Sequence, residues 1–220
     1  MKKFAVIVAG GFGSRMNATL PKQFVLLHNK PVLYYTIKKF LEAFADLFVI
    51  LVLPEEFISM GQEIVDGFFD DSRIRISSGG RTRFHSVQQG LKYVDAESII
   101  FVHDGVRCLV SQDLIQRCYK GAKENGTAIP AIHLNDSIRI VSGVDNAPLD
   151  RNNLRCVQTP QTFHSGILLP AYCIDYKEKF TDEATVVEAY GLKVHLVEGD
   201  VNNIKITRPV DLVLAELLLK

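Results

Sequence analysis

Short apolar runs alternate along this chain with longer segments of helical spacing. FAVIVA (4–9), LFVILVL (47–53), RIRIS (73–77), SIIFVHD (98–104) and GTAIPAI (126–132) read as strands. Most are apolar at successive positions, as parallel strands covered on both faces must be. Between them, PVLYYTIKKFLEAF (31–44), PEEFISMGQEIVDGFF (54–69), TRFHSVQQGLKYV (82–94) and SQDLIQRCYKGAKENG (111–126) read as helices. Pro31 suits a first helical turn, Ser111 an N-cap and Gly126 a C-terminal stop. This order predicts an α/β fold: a Rossmann-like, mostly parallel sheet with right-handed crossovers, flanked by helices.

The alternation breaks near residue 133. HLNDSIRIVSGVDNAPLDRNNLRCVQTP alternates on either side of a turn-rich centre, which predicts two antiparallel strands projecting from the body. Helices near 165–177 and 182–190, a strand at 193–199 and a last helix from Pro209 follow. No repeat or linker divides the chain, so 1–220 is read as one domain with a β-arm at 133–158 inside it.

Composition narrows the function. Among 220 residues, 47% are hydrophobic, enough for a sizeable core. Lys plus Arg and Asp plus Glu both number 25, which argues against nucleic acid as partner, because duplex binding needs a cationic surface. No apolar run approaches a membrane span, and the short N-terminal run reads as a first strand rather than a signal peptide. Cys108, Cys118, Cys156 and Cys173 form no CxxC pair or metal spacing and read as reduced thiols of a cytoplasmic protein.

The candidate chemistry starts in VAGGFGSRMNATLPKQF, Val8 to Phe24. A parallel sheet binds ligands beyond the carboxyl ends of its strands, where this loop begins. Glycines there let a ligand approach the backbone, and free N–H groups with Arg15 and Lys22 can cradle phosphates. A P-loop is absent, and the dinucleotide fingerprint fails because Met16 stands where its third glycine belongs. Pro21 stiffens the chain before Lys22, favouring a positioned ammonium.

AGGFGSRM and PKQF resemble the signature of sugar-phosphate nucleotidyltransferases. SGGRTRFHSV (78–87), VHDGVR (102–107), DRNNLRCVQTPQTF (150–163), TDEATVVE (181–188) and NIKITRPVDL (203–212) follow in the order and spacing of the 2-C-methyl-D-erythritol 4-phosphate cytidylyltransferase family. The resemblance runs nearly end to end. It implies that Ala9, Gly10, Gly11, Gly13, Gly80, Ser86, Asp104, Gly105 and Arg107 serve the nucleotide, with Gly80 and Ser86 reading cytosine. It implies Asp104 as ligand of a Mg²⁺ cofactor, an oxygen donor suited to that hard cation beside phosphates. It implies Arg15, Lys22, Lys205 and Arg151 as catalytic cations, and Ser137, Arg151, Thr181, Asp182 and Lys205 as the sugar-phosphate site.

The resemblance also implies that the β-arm swaps across a homodimer and delivers Ser137 and Arg151 to the partner's sugar-phosphate. An isolated antiparallel pair is marginal alone, which points the same way. The family motif HDxARP departs here to Val106 and Cys108. Relatives often carry an acidic residue at the position of Arg81, so Arg81 is left out of the site, and His103 is read as structural.

The resemblance implies that the reaction joins CTP to 2-C-methyl-D-erythritol 4-phosphate, a polyol phosphate, with loss of pyrophosphate. The acceptor phosphate is already anionic, so no general base is needed, in keeping with a chain without a Ser/His/Asp or Cys/His set. The alternatives are a ribitol-5-phosphate cytidylyltransferase, towards which Gly10 leans, a dinucleotide-dependent dehydrogenase, and a non-catalytic nucleotide-binding subunit.

Overall fold

A computed structural model describes residues 1–11, 20–69 and 71–219. The first strand, β1 (Lys2–Val8), and a 3-10 turn at Lys22–Phe24 precede the two-residue strands β2 (Leu26–Leu27) and β3 (Lys30–Pro31), which pair with each other. Then come α1 (Val32–Ala43), β4 (Leu47–Leu53), a 3-10 turn at Glu55–Phe57, α2 (Ile58–Phe68), β5 (Ile74–Ser78), α3 (Arg83–Leu91) and β6 (Ser98–Asp104). Helix α4 (Gln112–Asn125) leads to β7 (Thr127–His133), the hairpin β8 (Ile138–Ser142) and β9 (Asp145–Leu149), and β10 (Arg155–Val157). The chain ends with β11 (Gln161–His164), α5 (Ser165–Ala171), α6 (Glu183–Ala189), β12 (Leu196–Glu198) and α7 (Pro209–Leu218).

The main sheet runs β10–β7–β11–β6–β1–β4–β5, with β12 pairing β7. Strands β5, β4, β1 and β6 are parallel, and β11 enters antiparallel between β6 and β7. Side chains alternate across the sheet. Ala5, Ile7, Val49, Leu51 and Phe101 share one face with the buried residues of α1 and α4. Phe4, Val6, Ile50, Val52 and Val102 share the other with those of α3, α5 and α6. Burial on both faces is why these strands read as continuous apolar runs.

Local signals act as expected at α4: the Ser111 hydroxyl accepts from Leu114 N, and Gly126 closes the helix with φ of 80°. Three expectations change. Segment 54–69 opens with a 3-10 turn before α2. The helix expected to reach 177 stops at Ala171, one residue past Pro170, and the chain turns to stack Tyr172 on Phe84. Strand β11 has no counterpart among the expected strands, because four residues carry too little periodicity.

The strand order reverses at β1, whose neighbours β4 and β6 lie on opposite sides. Such a switch point opens a crevice at the carboxyl ends of the strands. Ala9 N donates to Val52 O at 3.0 Å and Gly105 N to Val8 O at 2.9 Å, so both chains leaving the sheet are pinned there.

Candidate active site

Two cavities open at this switch point. The larger, about 590 Å³, is lined by the exit of β1, the Lys22 turn, Pro54–Glu56 and the Gly79–Arg83 turn. The smaller, about 190 Å³, lies among Arg107, Gln158, Thr159, Gln161, Thr181 and Asp182. Arg83, Asp104 and Lys205 line both.

Asp104 ends β6 and is only 7% exposed. Lys205 Nζ lies 2.9 Å from its Oδ2, Arg83 Nη2 lies 3.3 Å from Oδ1, and Arg107 Nε lies 3.5 Å from Oδ2. Burial alone would raise this carboxyl. The charges of Arg83, Lys205 and Arg107 outweigh it and hold Asp104 well below the usual carboxylate range. Burial lowers the Arg107 guanidinium, which Asp104 partly offsets. Arg83 also grips the fully buried Glu183, with Nη1 on Oε1 and Nη2 3.1 Å from Oε2. Burial would lower Arg83, but Glu183 and Asp104 together raise it.

Behind Asp104 a chain of hydrogen bonds fixes the loop. Asp104 N donates to Thr159 Oγ1 at 3.1 Å, Thr159 Oγ1 lies 3.0 Å from His103 Nδ1, and His103 Nε2 lies 3.1 Å from Arg107 O. A carbonyl only accepts, so His103 carries its proton on Nε2 and takes the threonine proton at Nδ1. Burial pushes this imidazole down to about 3, against the pull of Asp104, so it is neutral at pH 7. Arg107 Nη1 donates to Asn203 O, and Asn203 Nδ2 to Thr159 O, both at 2.7 Å. The Lys205 loop, the Asp104 loop and the break between β10 and β11 thus form one polar unit. His103 is structural, as expected, and these are its partners.

Ala9, Gly10, Gly11 and Lys22 line the larger cavity, as do Gly80 and Ser86. Thr181 and Asp182 line the smaller. Asp182 also caps α6, accepting from Thr185 N at 2.9 Å. A Cβ on Gly80 would sit 2.5 Å from His85 Cβ, so the close approach of α3 requires glycine. The Ser86 hydroxyl accepts from Gly80 N at 3.1 Å and lies 3.0 Å from Thr82 O.

Four further placements bear on the site. Gly105 lines neither cavity. A Cβ there would meet Ala9 Cβ at 2.8 Å, so this glycine serves packing beneath the β1 exit. Arg107 lines the smaller cavity rather than the one beside the glycine loop. Arg81, left out of the expected site, lines the larger cavity. Ser137 and Arg151 line neither cavity; both are exposed at the arm, and Arg151 Nη1 donates to Asn135 O. Gly13 and Arg15 lie outside the described residues.

Sequence reasoning did not find Arg83, Glu183 or Thr159. Arg83 and Glu183 stand 100 positions apart, and each resembles an ordinary residue of a helix's first turn. Among the described residues, three buried side-chain atoms make no hydrogen bond: Gln23 Oε1, Asn203 Oδ1 and Arg107 Nε, which has only its 3.5 Å ion pair with Asp104. Gln23 lines the larger cavity and Arg107 the smaller, so unmet hydrogen-bonding capacity gathers at the site.

A switch-point crevice edged by cations, with Asp104 at the junction of its two cavities, on this strand order, defines a nucleotidyltransferase-type α/β protein. The 2-C-methyl-D-erythritol 4-phosphate cytidylyltransferase family profile matches residues 4–220. The chain belongs to that family. It is 42% identical over 219 residues to the enzyme of that name from Phocaeicola vulgatus, with all of both chains covered. It is 38% identical over 223 residues to that from Clostridium perfringens, covering 100% of this chain and 99% of the relative. The crystal structure of the Francisella tularensis 2-C-methyl-D-erythritol 4-phosphate cytidylyltransferase superposes with a TM-score of 0.83 at 29% identity, covering 100% of both chains.

Proposed function

We propose that this chain transfers the cytidylyl group of CTP to 2-C-methyl-D-erythritol 4-phosphate, giving CDP-methylerythritol and pyrophosphate in non-mevalonate isoprenoid precursor synthesis. One observation carries the reading: two cavities meet at Asp104, and Arg83 and Lys205 face both. Nucleotide in the larger and sugar phosphate in the smaller would bring their phosphates together at these cations. Family membership supplies the two substrates. The ribitol-5-phosphate alternative is not favoured, because the family profile and the relatives carry the methylerythritol name.

An oxygen of the acceptor phosphate attacks the α-phosphorus of CTP. The bond from the α-phosphorus to the bridging oxygen breaks, and pyrophosphate leaves with the electron pair. The attacking oxygen carries its charge already, so repulsion between anions is the barrier that positioning and preorganised charge must lower. Arg83, Arg107 and Lys205 against Asp104 and Glu183 leave one net positive charge in the cluster, three cations to two anions. Lys22 lines the same cavity, and Arg15 follows the glycine loop. The Ser86 hydroxyl accepts one hydrogen bond, from Gly80 N, and directs its proton to Thr82 O or Gly80 O, which leaves one lone pair as an acceptor for the exocyclic amino group of cytosine.

The residues present suit a divalent cation that brings phosphate ligands with it. Asp104 offers one hard oxygen donor, and among the described residues no group of three His, Cys, Asp or Glu side chains is placed to hold an ion alone. Mg²⁺ bound by Asp104 would neutralise triphosphate charge.

We also infer a homodimer with exchanged arms. Support comes from the hairpin, where Val144 is 98% exposed and Ile140, Val141 and Leu149 are uncovered. A two-stranded apolar ribbon gains stability from a partner surface. A cytoplasmic location fits the four free thiols, and no described helix is long and apolar enough to cross a membrane.

The test is pyrophosphate release from CTP with methylerythritol phosphate, ribitol 5-phosphate and other polyol phosphates. Release with methylerythritol phosphate is expected to dominate. Release only with another acceptor, or none at all, overturns the reading.

A further inference from the structure

The Arg83–Glu183 pair has two possible uses. It ties the start of α3 to the start of α6. A buried ion pair is weak evidence of a stabilising role, because apolar residues of similar volume often hold two helices as well or better. The geometry asks for more than a tie. Glu183 is wholly buried and takes both terminal nitrogens of the guanidinium, while its Oε1 also accepts from Tyr172 OH at 3.1 Å. Tyr172 is itself fixed, its ring stacked on Phe84 at 4.7 Å between centroids. The guanidinium is thereby held so that Nε and Nη2 meet Asp104 at a single oxygen, Oδ1, both at 3.3 Å. Released from Glu183, the same planar fork could close on both oxygens of Asp104 at once.

We propose that Arg83, anchored by Glu183, is a positioning residue of the active site. It fixes the Asp104 carboxylate from one side, at the junction of the two cavities, and so aims it at the metal–triphosphate. This rests on the cytidylyltransferase reading.

A combined variant separates this from a structural tie. Arg83→Met with Glu183→Met replaces the pair by apolar volume, and Tyr172→Phe removes the hydroxyl that would otherwise be orphaned. The melting temperature is expected to match or exceed that of the parent. kcat/KM for pyrophosphate release is expected to fall about 10- to 100-fold, and affinity for Mn²⁺ with a methylene-bridged CTP analogue, read by electron paramagnetic resonance, to fall in parallel. Recovery of both activity and Mn²⁺ affinity along with stability would leave only the tie and overturn the proposal. Arg83→Lys provides a second measurement if the triple variant does not fold, since a single ammonium keeps the charge but cannot reproduce the fork. Parental Mn²⁺ affinity in folded Arg83→Lys overturns the proposal, and weakened affinity supports it. Failure of the function itself would show separately, as an unaltered chain without pyrophosphate release.

Discussion

Lys205 and Arg83 hold opposite oxygens of one carboxylate: Nζ of Lys205 lies 2.9 Å from Asp104 Oδ2, and Nη2 of Arg83 lies 3.3 Å from Oδ1. Asp104 is thus gripped between the loop before α7 and the start of α3. Lys205 is 41% exposed whereas Asp104 is buried, and the proposed reaction gives this ammonium a chemical use. Lys205→Met is expected to lower kcat by about 10²–10³-fold, the scale for losing one preorganised donor. Lys22→Ala should lose activity on the same scale. Melting curves beside steady-state pyrophosphate release check both, and near-parental turnover in either would remove that residue from the chemistry.

Acid should weaken the fold through His103. The folded protein keeps this buried imidazole neutral down to about 3. The unfolded chain takes up a proton below about pH 6.5. The contribution is fully present above that pH and is lost as pH falls towards 3, by at most about 1.4 kcal/mol per pH unit. Denaturant melts in metal-free buffer between pH 7 and pH 5 should show the decline, and His103→Gln should flatten it. An equal slope in the two proteins would assign the decline to other groups.

The thiols divide by burial. Cys108 and Cys118 are buried, and burial pushes each up to about 12, whereas Cys156 and Cys173 are exposed. A thiol buried in apolar surroundings is inert. Two rapid equivalents are expected with a disulfide reagent on the native protein and four after denaturation. Four rapid equivalents before denaturation would contradict the burial of the first pair.

Arm exchange predicts complementation. Lys22 lines the larger cavity of its own chain, while Arg151 lines neither cavity of that chain. In a mixed dimer of Lys22→Ala and Arg151→Ala chains, exchanged arms leave one site with both lesions and the other with none. Co-refolded mixtures should therefore recover activity that neither variant has alone. Mixtures that stay inactive although mixed dimers form would place Arg151 outside the partner's site.

Much of the fold was legible because its signals are local. The two-sided apolar runs of β1, β4 and β6, the Ser111 cap and the Gly126 stop each depend on a few neighbouring residues. Asp104 closes an apolar strand at the ligand-facing edge of the sheet, and the resemblance made it a site residue; the glycines after β1 stood out because only a turn or a ligand calls for them. The resemblance joined these separate motifs into one family. Strand β11 was hidden, since its place is set by pairing with β6 and β7 rather than by its own four residues.

The sequence by itself determined the layered α/β plan, the end of the sheet at which ligands bind, and most of the charges that gather there. Only the tertiary structure decided how those charges are shared: Arg83 between Glu183 and Asp104, and Arg107 in the smaller cavity, with Gly105 packed closely beneath the β1 exit. The reason is range. Periodicity and capping act over a few residues, whereas an ion pair between positions 83 and 183 exists only once the fold has brought the starts of α3 and α6 together.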